Sequence, residues 1–541
     1  MTQPISGLDG HTQNVTPALS GTVVFALGLF VVAVALRLTQ LDGAIYYDEY
    51  YHLLAATSRS QDGSLDIYQG AYTRAPLYTI FTSWVFDLTG GPDVAMARLP
   101  NVLFGALLAV GVSIWTRCIA GPLAGWIVAL CVIFWPNGIY LSQLVRFYAL
   151  HGLIFFVGAI AAYDLFRPDA TTARRLLMLL LSGTMMFLAL QFQDSTLVGA
   201  MAIALWAALT VLLPLLLRQS RGLIFGVLAA LLVLAVAGFA TGMVQDSWAA
   251  YRSSPWDRDP TGYHRALRDL YPVLWPLTPV IAVFAIHDRL RPAGFCAFIA
   301  AFGLLAHSFA GVQNIRHIYY LSPFLFALWA MGLQAVLPPI LRRIRNAIAG
   351  IVGNGRARAL TGFVLIGVLL FAMFAQSAVM QTFKDVIGGA LHREPQAQFD
   401  EVFAVLDDYD GEDRVIVVTN DMETIYHRGR FDLTYSRNWL PEMGEVEFAT
   451  DPRNGRPLIS TEESLGMVVQ AYPSGLFLAP RSWWSDWFGY NDVIPFLAAF
   501  NQPNVEWSIE KLERMVLLRW TTDPVMQDPQ LADVREKIAA E

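Results

Sequence analysis

Two adjacent carboxylates, Asp48 and Glu49, are candidates for chemistry because they closely follow a long apolar run and lie among tyrosines. The pattern from Glu49 onwards predicts a short helix, on which Asp48 and His52 are four residues apart and share a face. Ionisable groups so near a bilayer often serve a function, and a carboxylate can accept a proton. The alternative is an aromatic belt at the membrane interface with incidental acids. The tyrosines are Tyr46, Tyr47, Tyr50 and Tyr51.

Two arginines, Arg146 and Arg316, occupy short polar turns between apolar runs. Arginine suits bidentate binding of phosphate, so both residues could hold one anionic ligand on the face that carries Asp48. The alternative is that their long side chains extend to lipid headgroups. The two turns are Ser142–Tyr148 and Gly311–His317, and a third short turn, Gln191–Ser195, contains Asp194.

The composition places these residues in a membrane protein. Of 541 residues, 55% are hydrophobic and 15% are charged, whereas about a quarter of the residues of a soluble protein are charged. The mean hydropathy is +0.45. The charges behind the net value of −7 are segregated along the chain, and nothing indicates binding to nucleic acid. The three cysteines lie in or next to apolar runs without a CxxC pair, which indicates neither a disulfide framework nor a zinc site.

Apolar runs long enough to cross a bilayer predict eleven transmembrane helices. The first, Val23–Leu38, follows a tail without Lys or Arg, so we interpret it as a retained helix and not as a cleaved signal. One further run, Pro76–Leu88, is too short to cross and contains Asp87, and we predict that it lies in the membrane interface. The predicted spans are 20–38, 98–119, 122–141, 148–166, 175–192, 196–217, 222–243, 271–287, 293–311, 318–338 and 360–381.

The distribution of arginine gives the predicted orientation. With eleven spans, alternate loops hold thirteen arginines, and the positive-inside rule makes these loops cytoplasmic. The loop 39–97, which carries Asp48 and two juxtamembrane helices, then lies on the opposite side. We therefore predict a transmembrane domain over 1–381 and an extracytoplasmic domain over 382–541.

The predicted outer domain is charged and proline-rich and contains no further apolar span. Its strands alternate with helices, which indicates a soluble α/β domain with a partly parallel sheet. Trp483, Trp484 and Trp487 are explained by core packing, or alternatively by contact with the membrane interface or a glycan groove. The predicted strands are Arg414–Asn420, Gly475–Pro480 and Met515–Trp520, and the predicted helices are Phe399–Tyr409, Glu462–Tyr472 and Asn491–Phe500.

Five stretches of the chain resemble, in order and spacing, motifs of the GT-C glycosyltransferases, which include protein O-mannosyltransferases and the aminoarabinose transferase of lipid A. Together they cover about residues 40–325, and the ordered set is more specific than any single motif. Ala75 stands where the family has a proline, and Leu144 stands where it has an acid. The stretches are Tyr47–Tyr51, Arg74–Tyr78, Arg98–Gly105, Ser142–Tyr148 and Arg316–Pro323.

The resemblance implies a polytopic α-helical membrane enzyme of the GT-C type, with about eleven transmembrane helices and the C-terminal α/β domain, in the inner membrane of a bacterium. Such enzymes transfer a sugar from a polyprenyl-phosphate donor to an acceptor on the extracytoplasmic side, with inversion at the anomeric carbon. The acceptor stays open among a glycolipid, a glycan and a protein. No nucleotide-sugar site is needed, which agrees with a sequence that has no phosphate-binding loop.

The same resemblance assigns roles to individual residues. Asp48 is the expected general base, and Glu49 is the second expected catalytic residue, with orientation of the loop or contact with the acceptor as its alternatives. Arg146 and Arg316 are expected to hold the phosphate of the leaving group. The other expected substrate-binding residues are Tyr148, His317, Arg74, His52 and Asp194; for His52, plain packing is an equal alternative.

A divalent metal is one option for such a site, because GT-C folds differ in whether they need one. Asp48, Glu49, His52 and Asp194 could supply ligands. No other cofactor is expected.

Two other functions stay open, a glycolipid transporter or flippase and a non-catalytic scaffold for the outer domain. A transporter more often shows internal repeats and ionisable residues at the membrane midplane. Here no repeat is detectable, and the ionisable residues gather at the ends of the spans. A scaffold would not need acids and arginines on one face.

Overall fold

The computed structural model of the chain describes residues 19–39, 41–216, 259–310, 313–388, 402, 405–406, 413–419, 421–429, 431–436, 447–481, 496–512, 514–523 and 529–539. A helical part is followed by a mixed sheet. The helices of the first part are α1 (Leu19–Arg37), α2 (Tyr47–Gln61), α3 (Pro76–Thr89), α4 (Val94–Ala120), α5 (Pro122–Ile133), α6 (Pro136–Tyr140), α7 (Tyr148–Leu165), α8 (Thr172–Leu190), α9 (Thr196–Ala207), α10 (Leu213–Leu216), α11 (Gly262–Leu270), α12 (Leu274–Asp288), α13 (Leu290–Ser308), α14 (Ser322–Val352), α15 (Asn354–Phe374) and α16 (Ser377–Gly388). A π-helical turn, Ala208–Leu212, joins α9 to α10, and a 3₁₀ turn, Ile315–Ile318, precedes α14.

Six of the described helices are long and apolar enough to cross a membrane, namely α4, α7, α8, α13, α14 and α15. The pair α11 and α12, bent by 93° at a short break, would form a seventh crossing, and α1, α5 and α9 are shorter apolar helices. Every predicted span within the described residues overlaps one of these helices, whereas the span predicted at 222–243 lies outside them. The polytopic helical architecture is therefore present, while the count of eleven stays a prediction.

The loop between α1 and α4 folds into α2, a small hairpin of β1 (Asp66–Ile67) and β2 (Gly70–Ala71), and α3. The α3 helix has Pro76 in its first turn, where the missing N–H removes no intrahelical hydrogen bond. One face of α3 is buried, and the other exposes Leu77, Trp84 and Leu88. This amphipathic pattern agrees with the interfacial helix predicted at Pro76–Leu88.

The turn that follows α6 is anchored to α1 and α4. A Cβ atom at Gly105 of α4 would collide with the Ser142 hydroxyl, so a glycine allows this close approach. Arg37 Nε donates to the same hydroxyl at 3.4 Å. The Gln143 side-chain amide donates to the carbonyl oxygens of Arg37 at 3.1 Å and Thr39 at 2.8 Å. These contacts fix the position of the segment that carries Arg146.

The C-terminal part is built on one seven-stranded sheet. Its strands are β3 (Arg414–Val418), β4 (Leu433–Tyr435), β5 (Ala449–Thr450), β6 (Pro457–Ile459), β7 (Ser474–Pro480), β8 (Val505–Lys511) and β9 (Met515–Thr522), and its helices include α17 (Asp421–Arg428), α18 (Glu462–Ala471) and α19 (Pro529–Ala539). The order is β5–β6–β4–β3–β7–β9–β8, with a parallel centre from β6 to β7 and antiparallel strands at both edges. The central strand β3 is buried on both faces, as expected for a parallel strand covered on both sides.

The two faces of this sheet pack against different parts of the chain. On one face, Val417 belongs to a core that includes residues of α18 and α19. On the other face, Val418 belongs to a core that includes Tyr50 and Ala55 of α2 and Ile67 of β1. The sheet therefore rests directly on the loop that carries Asp48.

The predicted strands of the C-terminal part coincide with β3, β7 and β9, and one predicted helix coincides with α18. The predicted helix at 399–409 lies largely outside the described residues, and the one at 491–500 lies half outside them, with 496–498 helical. Trp483, Trp484 and Trp487 lie entirely outside the described residues. Strands β4, β5, β6 and β8 were not predicted from the sequence. The division of the chain into independent domains at 381 stays a prediction.

Candidate active site

Three segments that are distant in sequence meet around Asp48. Asp48 lies in the first turn of α2, where the helix dipole favours a negative charge. Arg146 lies in the turn before α7, and Arg316 lies in the 3₁₀ turn before α14. The structure thus brings together an acid and the two arginines that the sequence placed in separate outer turns.

The Asp48 carboxylate is paired with both arginines. Arg316 Nη1 donates to Asp48 Oδ2 at 2.6 Å, and Arg146 Nη2 lies 3.4 Å from the same oxygen. Arg146 Nη1 donates to the Asp48 main-chain carbonyl at 2.8 Å, and Arg316 Nη1 also donates to the Tyr46 hydroxyl at 3.1 Å. The side chains of Asp48 and Arg316 are 22% and 20% exposed, so a ligand can reach them, whereas Arg146 is 2% exposed.

The charges around Asp48 keep it ionised. Burial alone would raise the pKa of its carboxyl, but the positive charges of Arg146, Arg316 and Arg74 outweigh burial and hold the pKa below its ordinary value. Three cations face one carboxylate, so the cluster retains positive charge that can pair with a further anion.

Several hydrogen-bond donors in this cluster are buried without a partner among the described residues. They are Nε of Arg146, Nε of Arg316 and the hydroxyl of Tyr148. An unsatisfied buried polar group costs about 1–3 kcal/mol, and more if it is charged, so such groups call for an explanation. A phosphate, which has several acceptor oxygens, suits this set of donors.

The segment around Arg146 is held rigidly. Asn101 Nδ2 of α4 donates to the carbonyl oxygens of Leu144 at 2.5 Å and Arg146 at 3.0 Å. The Arg146 guanidinium lies 5.2 Å from the Phe147 ring centroid and 5.7 Å from that of Tyr148, within range of a cation–π interaction. In the sequence Asn101 is only a member of a motif, because nothing in its residue type indicates that it supports a turn 43 to 45 residues later in the chain.

The environment of Glu49 differs from that of a catalytic residue, which must be accessible to the substrate. It is fully buried and forms an ion pair with Arg98, with 2.7 Å between Oε2 and Nη2 and 3.0 Å between Oε1 and Nε. It also accepts from the backbone N–H of Tyr46 at 2.8 Å and of Val145 at 2.6 Å. Both oxygens are thus occupied, which argues against the predicted catalytic role and for the alternative of orienting the loop.

Arg98, which was not predicted to be a functional residue, completes this buried unit. Besides Glu49, its guanidinium donates to the carbonyl oxygens of Leu41, Gly43 and Ala44, at 2.7 to 2.8 Å. An arginine at the beginning of a predicted span is the signal that could have identified it, since a charge there requires a partner.

His52 follows Asp48 by one turn but is fully buried. Its Nδ1 lies 2.9 Å from Thr79 Oγ1, and its Nε2 lies 3.5 Å from the Tyr72 hydroxyl. Burial, together with the positive charges of Arg146 and Arg74, lowers the pKa of His52 well below its ordinary value, so the ring is neutral. These contacts fit the packing alternative, and the predicted substrate contact gains no support from them.

The remaining predicted substrate-binding residues lie nearer the surface. Arg74 is exposed, 6.0 Å from the Phe147 ring centroid, and its charge reaches Asp48. His317 is half-buried next to Arg316. Asp194 is exposed in the turn between α8 and α9, and no described side-chain contact joins it to the Asp48 cluster.

The proposed metal ligands do not assemble into a site. Among the described residues, no group of three or more His, Cys, Asp or Glu side chains could hold a metal ion. Asp48 is paired with arginines, Glu49 with Arg98, and His52 with a hydroxyl. This donor set does not fit a metal, and we derive no step through one.

No protein-family model matches the chain, and no curated protein does. Solved structures do match. ArnT from Cupriavidus metallidurans, bound to undecaprenyl phosphate, superposes with a TM-score of 0.58 at 13% identity, over 93% of this chain and 98% of that one. The oligosaccharyltransferase AglB from Archaeoglobus fulgidus, in complex with an inhibitory peptide and a dolichol-phosphate, gives a TM-score of 0.54 at 11% identity, over 89% and 73% of the two chains. An A. fulgidus oligosaccharyltransferase tethered with an acceptor peptide gives 0.52 at 12% identity, over 83% and 65%.

These similar proteins are GT-C glycosyltransferases, and the match extends over most of the chain. The predicted resemblance is thereby confirmed at the level of the fold.

Proposed function

We propose that this GT-C-fold protein is an integral-membrane inverting glycosyltransferase, which moves a sugar from a polyprenyl-phosphate donor to an extracytoplasmic acceptor. The observation that carries the proposal is an ionised Asp48 shared by Arg146 and Arg316, with buried donors left over for an anion. The fold supports it, because ArnT was solved with undecaprenyl phosphate and AglB with a dolichol-phosphate.

Asp48 acts as the general base in this reaction. Its carboxylate accepts the proton of the acceptor hydroxyl while the acceptor oxygen attacks the anomeric carbon of the sugar. The bond between that carbon and the phosphate oxygen breaks, and its electron pair leaves with the polyprenyl phosphate. Attack from the side opposite the leaving group inverts the anomeric configuration.

Arg146 and Arg316 stabilise the leaving group. The donor is a phosphate diester, and negative charge grows on the phosphate as the sugar departs, so fixed guanidinium donors interact more strongly with the transition state than with the donor. The Tyr148 hydroxyl adds a third donor. Arg74 at the exposed rim attracts the anionic donor. His317 and Asp194 stay proposed contacts of the substrates.

Donor binding also changes the basicity of Asp48. A carboxylate that holds two arginines is a weak base, and the phosphate competes for the same N–H groups. Once the phosphate shares them, the pKa of Asp48 rises toward its ordinary value. The base would therefore become effective only when the donor is present.

We propose that the site faces the periplasm of a bacterial cell. The thirteen arginines of the alternate loops support this orientation, and the sheet that packs on α2 then lies on the same side. The acceptor is a glycolipid, a glycan or a protein.

The test is transfer of a radiolabelled sugar from its polyprenyl-phosphate carrier by the purified protein in detergent, with a membrane extract of a deletion strain as acceptor. We expect label to leave the carrier with wild-type protein and with Asp87→Asn, an exposed carboxylate on α3, but not with Asp48→Asn. Mass spectrometry of glycolipids and glycans in the deletion strain identifies the acceptor.

The alternative of a transporter or flippase predicts another result. Label would stay on the carrier with every extract, and vesicles containing the protein would move the intact glycolipid across the bilayer. That pair of observations would contradict the proposed enzyme.

A further inference from the structure

Three tyrosines that flank the candidate base point to the C-terminal sheet. The Tyr47 hydroxyl donates to Asp421, and the Tyr51 hydroxyl accepts from Arg453 Nη1 at 2.8 Å. The Tyr50 hydroxyl donates to Glu423 Oε1 at 3.4 Å. The first turn of α2 is therefore bound from the side of the sheet as well as by the arginines of the helical part.

Two of these partners, Asp421 and Arg453, belong to a charged network, which we call the docking node: Asp421, Asp451, Arg453 and Asn454. Arg453 Nη2 lies 2.8 Å from Asp421 Oδ2 and 2.5 Å from Asp451 Oδ2, and Asn454 Nδ2 donates to Asp421 at 2.9 Å. The side chains of Asp421 and Asp451 are 2% and 0% exposed. Each charge in the node has a partner, so the node can hold its geometry inside the interface.

A second contact beside the node brings two backbones together. The Gln69 N–H donates to the Asn454 carbonyl at 3.1 Å. A Cβ atom at Gly70 would lie 2.5 Å from the backbone of Arg453, so only glycine allows this approach. The Arg456 guanidinium lies 4.1 Å from the Tyr68 ring centroid. The hairpin that follows α2 is thus fixed to the same turn of the sheet as the tyrosines.

We infer that Asp421 and Arg453 are positioning residues for Asp48, and this inference rests on the proposed function. Tyr47 precedes Asp48 directly, and Tyr51 lies one helical turn further on. Two hydroxyls held at these positions fix the rotation of α2 about its axis, which decides where the carboxylate points. A displacement of about 1 Å at a reacting group can cost on the order of 10² in rate.

Packing of the sheet on α2 does not by itself require the charged residues of the node. An apolar core already joins the sheet to α2 through residues such as Tyr50 and Val418. A buried ion network adds little net stability to such a core, because desolvation offsets the attraction. Its directional hydrogen bonds do fix geometry, and they converge on the residues next to Asp48.

The test compares Tyr47→Phe, Asp421→Asn and Arg453→Gln with wild-type protein. We expect kcat to fall by about 10- to 100-fold while the KM and binding affinity for the donor stay unchanged. Arg453→Lys, which keeps the charge but loses the fork, should restore part of the loss. Arg519→Gln, which removes an exposed ion pair with Glu510 in the same sheet, is the matched control and should keep full activity.

Hydrogen exchange supplies a readout that does not depend on turnover. Amides of α2 beyond its first turn, whose N–H groups have partners within the helix, should exchange faster in the node variants, whereas amides of the central strand β3 should stay as protected as in wild-type protein. Wild-type kcat in Tyr47→Phe and Arg453→Gln, or unchanged exchange in α2, would overturn the inference. If wild-type protein shows no transfer at all, the proposed function fails, while the exchange measurement still decides whether the node holds α2.

Discussion

Asp48 is the residue on which the proposed chemistry depends most directly. Asp48→Asn keeps the shape of the side chain and can still accept from Arg316, but it removes the basicity. We expect turnover to fall by about 10²–10⁴, the usual range for loss of a general base, with nearly unchanged donor affinity. Single-turnover kinetics and a binding assay on the same preparation measure both quantities. Normal turnover in Asp48→Asn would move the base elsewhere, with Asp194 as the next residue to test.

Arg146 and Arg316 act on the donor phosphate, so their replacement should weaken donor binding. A hydrogen bond to a charged group contributes about 1.5–3 kcal/mol, which corresponds to an increase of about 10- to 150-fold in Kd for each alanine variant. Arg→Lys should rescue only part of the affinity because the planar fork is lost. Thermal unfolding checks that the buried Arg146 variants remain folded. Wild-type affinity in both alanine variants would leave these residues as lipid contacts.

The pKa of Asp48 predicts the direction of a pH effect. It is held below its ordinary value by Arg146, Arg316 and Arg74 against the opposing effect of burial, so the base stays ionised at mildly acidic pH. Removing one cation, as in Arg316→Ala, raises this pKa and moves the acid limb of the kcat/KM profile to higher pH. Burial raises the pKa of the Tyr51 and Tyr72 hydroxyls near the carboxylate, so both are neutral over this range. An acid limb that does not move in Arg316→Ala would argue against Asp48 as the titrating group.

Residue types and topology together were enough to select Asp48, Arg146 and Arg316 from the sequence. An acid after the first span and an arginine in each of two short outer turns must lie on one face once the orientation is assigned. The role of Glu49 could not be read in the same way, because it depends on Arg98, whose side chain turns back from α4 into the loop. His52 does lie one helical turn after Asp48, as its spacing predicted, but its ring nitrogens contact Thr79 and Tyr72. These partners could not be inferred from helical spacing.

At the scale of elements, the Glu49–Arg98 pair joins α2 to α4 and to the turn before α7. Both side chains are fully buried, and Glu49→Gln leaves Arg98 with an uncompensated charge. Breaking a buried pair from one side typically costs about 3–5 kcal/mol. We therefore expect a lower midpoint of thermal unfolding in detergent, with activity lost in proportion to folded protein. A fully folded but inactive Glu49→Gln would instead give this residue a chemical role.

Long elements could be predicted, and short ones could not. Runs of about 20 apolar residues identify spanning helices because the bilayer fixes their length. Strands β4, β5 and β6 have only two or three residues, too few to establish a period of two. They are defined by their pairing: β4 lies parallel to β3 and β6, and β5 lies antiparallel to β6. The hairpin of β1 and β2 is equally short, and the N–H of Gln69 in its turn donates to the Asn454 carbonyl.

At the scale of the whole molecule, orientation is the prediction that supports all the others. The test uses a variant without the exposed Cys118, with a cysteine introduced at Ser508 on the exposed edge strand β8. This cysteine should react with an impermeant reagent added to intact spheroplasts, which expose the periplasmic face of the inner membrane. A cysteine at Asn354, between α14 and α15, should react only after the membrane is opened. The reverse pattern would place the Asp48 cluster in the cytoplasm and contradict the proposed donor.

The sequence also indicated that a second, mixed α/β part follows the membrane helices, but not that it packs on α2. This contact depends on a few specific approaches, such as Gly70 against Arg453, that have no periodicity and no compositional signal. Such a contact between distant segments cannot be predicted from the sequence, because the residues of either segment indicate only that they are buried and not what they pack against.

The sheet face against α2 includes Leu517 of β9, so a late strand packs on the helix that carries Asp48. Once helices α1 to α16 have been synthesised and inserted, every arginine of the site is already present. The surface that receives Tyr47 and Tyr51 does not exist until the later strands have been translocated and paired. A newly inserted chain would therefore be able to bind its donor but would transfer the sugar slowly until these strands are in place, so the end of synthesis would set the onset of full activity.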